Sequence, residues 1–251
     1  MVAVAGVLRF RWLNVLGLTD EELDEVKCAV SGYGVGVSAI GSPIGKVPIT
    51  DPFGPHLERF RRALDVAAVM EAPYVRVFSF FIPEGQKPVL HREEVLERMG
   101  ALAGEAGSAG ITLLHENEKE IYGDVPGRCV DILSGVGSPA LRAAWDAANF
   151  VQCGVGHPYT EGYEALRPYI EYVHVKDALA GSGEVVPAGH GNGEIPETLS
   201  ALRDSGFDGF FSLEPHLASS GTYSGFSGPD LFRKAAGVFK DLLLQRGIPW
   251  S

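Results

Sequence analysis

The feature that most constrains this fold is a repeated alternation of short, β-prone apolar runs with amphipathic helical segments. Seven such runs are visible, each followed by a helix pattern: Val2–Phe10, Val35–Ile40, Tyr74–Ile82, Ile111–Glu116, Leu141–Asp146, Tyr172–Asp177 and Gly209–Glu214. Strands alternating with helices at this pitch are typical of parallel βαβ units. The 251-residue length fits one α/β barrel or two small domains. The unbroken repeat favours a single (β/α) TIM-type barrel domain over residues 1–251.

Helix signals fill the segments between these strands. Thr19-Asp-Glu-Glu22 has the composition of a capping box, which predicts a helix to about Ser31. The other helices are predicted over Pro55–Met70, His91–Ala106, Val125–Leu133, Gly162–Tyr169, Ile195–Ser205 and Pro229–Gln245.

A closed barrel of this type has eight strands, whereas only seven βα units are visible in the sequence. No helical period fits between Val4 and Trp12, so the first unit is predicted to be missing from this chain. The expected consequence is a gap between the first and the last visible strand. The alternative is that Val2–Val15 is divided into two strands with no helix between them.

Composition restricts the class of protein. Apolar residues make up 45% of the chain and are distributed throughout it, which disfavours disorder and membrane spans. The 21 basic and 32 acidic residues give a net charge of −11, which disfavours nucleic acid as a partner. The three cysteines are widely spaced, as expected for free intracellular thiols, and no signal peptide is visible. We therefore expect a cytoplasmic enzyme acting on a small molecule, with homo-oligomerisation left open.

Each of the last four predicted strands has a polar residue at its C-terminal end: Glu116, Asp146, His174 and Glu214. In a (β/α) barrel the C-terminal ends of the strands converge on one mouth, so these side chains can surround one point. Any one of them alone could be a helix cap or a surface charge, but a carboxylate ending a buried strand is costly without compensation. Three carboxylates and one imidazole suit a single divalent ion. Mn²⁺ is the first choice; Mg²⁺ and Co²⁺ are also suited, and Zn²⁺ is acceptable.

The same residues carry a family resemblance. The runs LLHENEK, DAANF, HVKDA and FFSLEPHL, together with PAGHGNGE before the last helix–strand pair, resemble the sugar phosphate isomerase/epimerase family. The resemblance covers nearly the whole chain and implies the xylose isomerase-like TIM barrel fold. It also implies that one divalent metal is held by Glu116, Asp146, His174 and Glu214, and that the two glutamates form the catalytic acid/base pair.

The chemistry expected of such a site follows from general principles. A divalent cation that binds a substrate carbonyl and the neighbouring hydroxyl polarises both groups and stabilises an enediolate. One glutamate can then remove the proton on the adjacent carbon while the other returns it. The expected function is therefore a metal-dependent isomerase or epimerase of a sugar, polyol or keto-sugar.

Other polar residues near the strand ends are candidates for binding substrate: Ser79, Asn117, Asn149, Lys176, His190 and His216. Period-two alternation places Lys176 on the face of His174, and His216 on that of Glu214 if the strand continues. The alternative for each is a hydrogen-bonding role behind a metal ligand. Arg76 is charged within an apolar strand and must be paired, but the sequence does not indicate its partner.

Two stretches resemble phosphate sites but lack their chemistry. Gly41-Ser-Pro-Ile-Gly-Lys46 is one residue short of a P-loop, and Val47 replaces its Ser or Thr. The stretch 219–228 follows the last strand, where barrel phosphate sites often lie, yet it contains no Lys or Arg, and the next basic residue is Arg233. The stretch is therefore predicted to be a mobile lid and not a phosphate clamp, which favours an unphosphorylated substrate.

Two other functions remain open at this point. An endonuclease IV-like phosphodiesterase would need a three-zinc cluster with additional histidine ligands from earlier strands. The predicted strands Val35–Ile40 and Tyr74–Ile82 contain no histidine. Three residues after Asp146 this chain has Asn149, whereas that class has a histidine. A non-catalytic sugar-binding barrel would be favoured if Glu116 or Glu214 pointed away from the mouth.

Overall fold

The structure is a computed structural model that describes residues 2–3, 15–218 and 227–250. Seven parallel strands form one sheet: β1 (Val2–Ala3), β2 (Ala39–Gly41), β3 (Tyr74–Val77), β4 (Thr112–Glu116), β5 (Leu141–Asp146), β6 (Ile170–Val175) and β9 (Phe210–Leu213). Their order in the sheet is β1-β9-β6-β5-β4-β3-β2. Two short strands, β7 (Asp177–Ala178) and β8 (Val185–Val186), form a separate antiparallel pair.

Helices connect the strands as the alternation predicts. The α-helices are α1 (Asp20–Gly32), α2 (Phe53–Val69), α3 (Arg92–Ser108), α4 (Pro126–Val136), α5 (Ala147–Gln152), α6 (Glu164–Leu166), α7 (Ile195–Asp204) and α8 (Pro229–Gln245). The segment predicted as one helix over Gly162–Tyr169 combines a π-helix (Tyr159–Tyr163), α6 and a 3₁₀ helix (Arg167–Tyr169). Short 3₁₀ helices also span Val15–Gly17 and Pro88–His91. Helix α5, directly after β5, was not predicted.

The first of these helices begins where its capping signal predicts. The Thr19 hydroxyl accepts a hydrogen bond from the Glu22 backbone N–H at 3.2 Å, and the Glu22 carboxylate accepts one from the Thr19 N–H at 2.9 Å. Two of the N–H groups that a helix start leaves without partners are thereby satisfied. The predicted capping box is confirmed.

The position of the predicted gap is wrong. Strand β1 pairs directly with β9, with Val2 opposite Phe211 and Ala3 opposite Ser212, so the first and last strands are neighbours. Among the described residues the interruption lies between β1 and β2, which share no ladder. The rest of the predicted strand Val2–Phe10, and most of the Val2–Val15 segment of the alternative, lie outside the described residues.

The strands separate two environments because their side chains alternate between faces. Val75, Leu113, Trp145 and Val173 point to the helices and belong to one large buried apolar cluster with residues such as Phe60. Burying each such side chain contributes roughly 1.5–3 kcal/mol.

Inside the barrel, Leu114, Ala144 and Tyr172 form a smaller buried group, and Tyr74 and Phe210 pack against it. We call these five residues the apolar floor. Its three buried members stand two residues before Glu116, Asp146 and His174 on the same strand faces, so the floor forms the bottom of the candidate site.

Within the part of the chain that the structure describes, no helix combines the length and the apolar character needed to cross a membrane.

Candidate metal centre

The structure brings together the four residues at the strand ends. Glu116 ends β4, Asp146 ends β5, His174 lies in β6 and Glu214 directly follows β9. One potential ligand atom from each lies within 4.8 Å of those of the other three. Asp146 and His174 are opposite each other in the β5–β6 ladder, so strand pairing itself sets their separation. We call these four residues the strand-end cluster.

The cluster is enclosed. Glu116, Asp146 and His174 are each no more than 4% exposed, and the side chain of Glu214 is 25% exposed. The His174 imidazole lies between the two glutamates. Its Nδ1 is 3.1 Å from Glu116 Oε1 and 3.5 Å from Glu214 Oε1. The cluster therefore opens towards solvent on the side of Glu214.

Two cations from the barrel interior compensate the carboxylates. Arg76 Nη1 lies 3.2 Å from Glu116 Oε2 and 3.4 Å from Glu214 Oε1, which identifies the partners that the sequence did not indicate. Lys176 Nζ lies 2.8 Å from Asp146 Oδ2. Arg76 extends from β3 to a residue that follows β9, near the other end of the sheet order, so the sheet is curled around the cluster.

These contacts shift the pKa values of the cluster. Burial lowers the pKa of His174, but Glu214 and Glu116 outweigh burial and raise it to about 9. Burial raises the pKa of Asp146 to about 6, against the opposing effect of Lys176. Burial also acts to raise the pKa of Glu116, yet His174 and Arg76 hold it below its usual range. Burial acts in the same way on Glu214, yet His174 and Arg76 lower its pKa, so the neighbouring cations favour the ionised form of both glutamates.

The donor set fits a divalent metal ion. Glu116 Oε2 and Asp146 Oδ2 are buried and receive no well-directed hydrogen bond from the described residues, although a cation lies near each. Such oxygens are suited to metal coordination. Ligand bonds of about 2.0–2.6 Å to a central ion are compatible with ligand atoms lying within 4.8 Å of one another. Glu116, Asp146, His174 and Glu214 could hold one ion.

Two asparagines predicted to bind substrate are committed to positioning the cluster. The Asn149 side-chain amide donates to Glu116 Oε1 at 3.1 Å and to the Asn117 carbonyl at 2.8 Å. The Asn149 backbone N–H donates to Asp146 Oδ1 at 2.9 Å, which makes Asp146 the N-cap of α5. The Asn117 side chain bonds both the N–H and the carbonyl of Asp146. These contacts fix two carboxylates and explain why α5 begins directly at the site.

The remaining substrate-binding candidates lie in different places. Ser79 is fully buried, and its hydroxyl accepts a hydrogen bond from the Gly123 N–H at 2.8 Å. Lys176 reaches the cluster through Asp146. His216 is half-buried beside Glu214 at a φ of 42°, and burial and Lys176 lower its pKa. His190 lies exposed in a loop, and none of its described contacts reaches the cluster.

Asp177 is an important residue that sequence reasoning missed. It is fully buried, and its carboxylate accepts hydrogen bonds of 2.8–3.0 Å from the N–H groups of Ala178, Gly189, Gly191 and Gly193. It thereby holds residues 187–194, which we call the glycine loop. The alternating glycines of PAGHGNGE, shortly after an aspartate that follows a strand, were the available signal.

Two loop glycines are required by this close approach. A Cβ at Gly191 would lie 2.4 Å from the Ala178 carbonyl oxygen. One at Gly193 would lie 2.8 Å from Asp177 Oδ1 and 3.0 Å from Ala147 Cβ. Because Ala147 directly follows Asp146, the glycine loop packs against the base of the strand-end cluster.

Fold and site together define a parallel (β/α) barrel protein with three carboxylates and one histidine converging at the barrel mouth. The model of the xylose isomerase-like TIM barrel family matches residues 3–242, and the chain belongs to this family. The expected fold class and family resemblance are confirmed.

Individual relatives share less of the sequence. The chain is 34% identical over 101 residues to a 2-epi-5-epi-valiolone 7-phosphate 2-epimerase from Actinoplanes sp., covering 40% of this chain and 35% of that relative. The match thus spans about a third of the relative's length.

Solved structures are similar over most of the chain. A D-tagatose 3-epimerase-like protein has a TM-score of 0.74 at 18% identity, covering 91% of this chain and 85% of that one. A xylose isomerase-like TIM barrel protein from Mycobacterium smegmatis in complex with magnesium has a TM-score of 0.69 at 20% identity, with coverages of 94% and 82%. At these identities the likeness concerns the fold.

Proposed function

We propose that this protein is a divalent-metal-dependent isomerase or epimerase of a sugar, polyol or keto-sugar. The observation that carries the proposal is the convergence of Glu116, Asp146, His174 and Glu214, with ligand atoms within 4.8 Å of one another at the barrel mouth. The epimerase names of the Actinoplanes relative and of the D-tagatose 3-epimerase-like structure support the reaction class.

The strand-end cluster would hold the metal ion. When bound, the ion supplies Lewis-acid polarisation of a substrate carbonyl and its neighbouring hydroxyl. The predominance of carboxylate oxygen donors favours Mn²⁺, with Mg²⁺, Co²⁺ and Zn²⁺ compatible with the same set. Magnesium is the ion named with the Mycobacterium smegmatis structure, which supports a divalent ion without fixing its identity here.

Glu116 and Glu214 are proposed as the acid/base pair. Strands β5 and β6 lie between β4, which ends in Glu116, and β9, which precedes Glu214. The two carboxylates therefore border the site on different sides, and one can take a proton that the other returns. Arg76 contacts both carboxylates, and the apolar floor lies below them.

Residues that touch the substrate are proposed from the same geometry. Lys176 and His216 lie close enough to the cluster to interact electrostatically with Glu214 and Glu116, and we propose them as contacts to substrate oxygens. Asn117, Asn149 and Ser79 are engaged with the protein, which favours a supporting role for them. His190 could reach a substrate only from the rim of the glycine loop.

The test combines metal analysis of the purified protein with deuterium exchange at the carbon next to the carbonyl, in a panel of ketoses and inosose-type polyols. On the substrate that exchanges, Glu116→Gln and Glu214→Gln should each lower the exchange rate by roughly 10²–10⁴-fold. His174→Ala should weaken metal binding before it affects proton transfer, because it removes the nitrogen donor of the proposed ligand set.

Glu118→Gln is the matched control. Glu118 lies two residues after Glu116 but pairs with Lys46 at 3.0 Å, outside the cluster. The Glu118→Gln variant should therefore exchange deuterium at a rate near that of the wild type. If either Glu116→Gln or Glu214→Gln retained the full exchange rate, the acid/base role of that residue would be wrong.

The two alternative functions have less support. An endonuclease IV-like phosphodiesterase needs further metal ligands, whereas the described residues form one metal-capable group and the net charge of −11 opposes DNA. A non-catalytic barrel would have Glu116 or Glu214 turned away, but both carboxylates face the cluster. Cytoplasmic location and homo-oligomerisation stay predictions, which fractionation and size-exclusion chromatography would test.

A further inference from the structure

The strand-end cluster has side-chain cations in contact with two of the carboxylate oxygens that a metal ion could use. Arg76 approaches Glu116 Oε2 at 3.2 Å, and Lys176 approaches Asp146 Oδ2 at 2.8 Å. These are the two buried carboxylate oxygens of the cluster without a well-directed hydrogen bond. Each has a protein cation as its compensating neighbour.

Both cations are built into the barrel interior. Arg76 projects from β3 with its side chain 22% exposed, and Lys176 directly follows β6 with its side chain 6% exposed. The guanidinium of Arg76 also lies 5.0 Å from the ring centre of Phe78, which helps to hold it over the cluster. These are internal ion pairs, which solvent and salt screen much less than surface pairs.

Three carboxylates this close together repel one another unless positive charge lies among them. Arg76 contacts Glu116 and Glu214 while Lys176 contacts Asp146, so all three carboxylates are compensated by the chain itself. A divalent ion would bring positive charge to the same place. It would be repelled by both cations and would compete with them for the same oxygens.

We propose that Arg76 and Lys176 are resident counter-cations of the strand-end cluster, which keep it assembled without metal and which an incoming divalent ion must displace from Glu116 and Asp146. They stabilise the empty site and weaken metal binding. The inference rests on the proposed function only in that a divalent ion binds at the cluster.

A role in orienting the carboxylates would predict the opposite change in metal affinity. If Arg76 and Lys176 served to orient the carboxylates for coordination, removing either cation would weaken metal binding. As counter-cations, their removal strengthens metal binding and destabilises the metal-free protein. The sign of the change in affinity therefore separates the two roles.

The experiment measures the Kd for Mn²⁺ by competition with a chromophoric chelator, and the Tm in EDTA, for the full chain. Arg76→Met and Lys176→Met should each bind Mn²⁺ on the order of ten-fold more tightly, because one repelling charge is removed. Their Tm in EDTA should fall by roughly 5–15 °C, because a buried carboxylate loses its partner. Adding Mn²⁺ should recover most of that loss.

Two further variants serve as controls. Lys27→Met removes one charge from a lysine of α1 that pairs with Glu71, which lies before β3 at the end of the sheet opposite the cluster, so it reports the effect of net charge alone. Its Kd should stay within about two-fold of the wild type, since exposed and distant charges are screened. Arg76→Lys keeps the charge and should retain an affinity near that of the wild type.

The results distinguish this inference from the proposed function. If wild-type protein binds Mn²⁺ but both methionine variants bind it equally or more weakly, the counter-cation role is wrong and the metal site stands. If the wild type binds none of Mn²⁺, Mg²⁺, Co²⁺ and Zn²⁺, the metal-dependent function itself fails. Should Arg76→Met remain unfolded even with Mn²⁺, Arg76→Gln takes its place and Lys176→Met carries the same prediction independently.

Discussion

The carboxylates of the strand-end cluster and the carboxylate of Asp177 lie close together at the barrel mouth, but their negative charges are compensated differently. The strand-end cluster is balanced by side chains: Arg76, Lys176 and His174. Asp177, only three residues after His174, is held by four backbone N–H groups. Burial raises the pKa of Asp177, and the groups that oppose this rise are all backbone donors.

The difference indicates what each group is suited to do. Backbone N–H groups are fixed by the path of the glycine loop, so they cannot leave Asp177 unless the loop rearranges. Side chains can rotate away from a carboxylate and return. Asp177 is therefore suited to hold structure, whereas the strand-end cluster is suited to exchange its partners for a metal ion or a substrate.

The largest effect is expected from Asp177→Ala. The substitution leaves four backbone N–H groups without their acceptor, and two of these hydrogen bonds are fully buried, so the free energy of unfolding should fall by roughly 3–5 kcal/mol. Urea denaturation in EDTA measures this, and the absence of metal separates it from any effect of the strand-end cluster.

Asp204→Ala is the control for that measurement. The Asp204 carboxylate is 66% exposed and pairs with a neighbouring arginine, so its loss should change stability by less than about 0.5 kcal/mol. A comparably small effect of Asp177→Ala would show that the backbone contacts of Asp177 contribute little to holding the loop.

A smaller loss is expected when the loop, rather than its anchor, is changed. Gly191→Ala places a Cβ 2.4 Å from the Ala178 carbonyl oxygen and 2.5 Å from Asp177 Oδ1, so the backbone must shift. The free energy of unfolding should fall by about 2–3 kcal/mol, measured by urea denaturation in EDTA.

Gly104→Ala provides the matched comparison. Gly104 lies on the exposed face of α3, and a Cβ there meets no atom within 4 Å. This substitution should stabilise the protein by roughly 0.5–1 kcal/mol, since alanine has the higher helix propensity. Equal effects of the two substitutions would contradict the close packing inferred at Gly191.

The smallest effect on stability is expected at His56, a buried base whose hydrogen-bond donor is a backbone N–H group. His56 is 5% exposed, and its Nε2 accepts a hydrogen bond from the Gly45 N–H at 2.9 Å. Burial, with Arg59 and Arg98, lowers its pKa from 6.5 to about 4. The unfolded chain therefore takes up a proton first as the pH falls through 6.5, and stability declines towards pH 4.

Between pH 7 and pH 5 this contribution should amount to roughly 1–2 kcal/mol. It is measured as the difference in unfolding free energy between the wild type and His56→Gln, which keeps an acceptor but cannot titrate. Parallel pH profiles of the two proteins would mean that His56 is not the group responsible.

The positions of the cluster residues were predictable because they depend on a local rule. Each one lies at, or directly beyond, the C-terminal end of a strand whose apolar pattern is visible, and parallel strands bring equivalent ends together. The partners of Arg76 were not predictable, since Glu214 lies 138 positions further along the chain. The hydrogen bonds of the Asn149 amide were not predictable for a related reason, because they depend on how α5 packs after β5.

By itself the sequence determined the alternation of strands and helices, the capping of α1 and the polar residues at four strand ends, because short-range periodicity and turn chemistry encode them. The tertiary structure alone decided that β1 pairs with β9, that Arg76 spans the barrel interior and that a buried aspartate holds the glycine loop. These contacts join segments distant in the chain, and their geometry follows from the curling of the sheet, which no local pattern encodes.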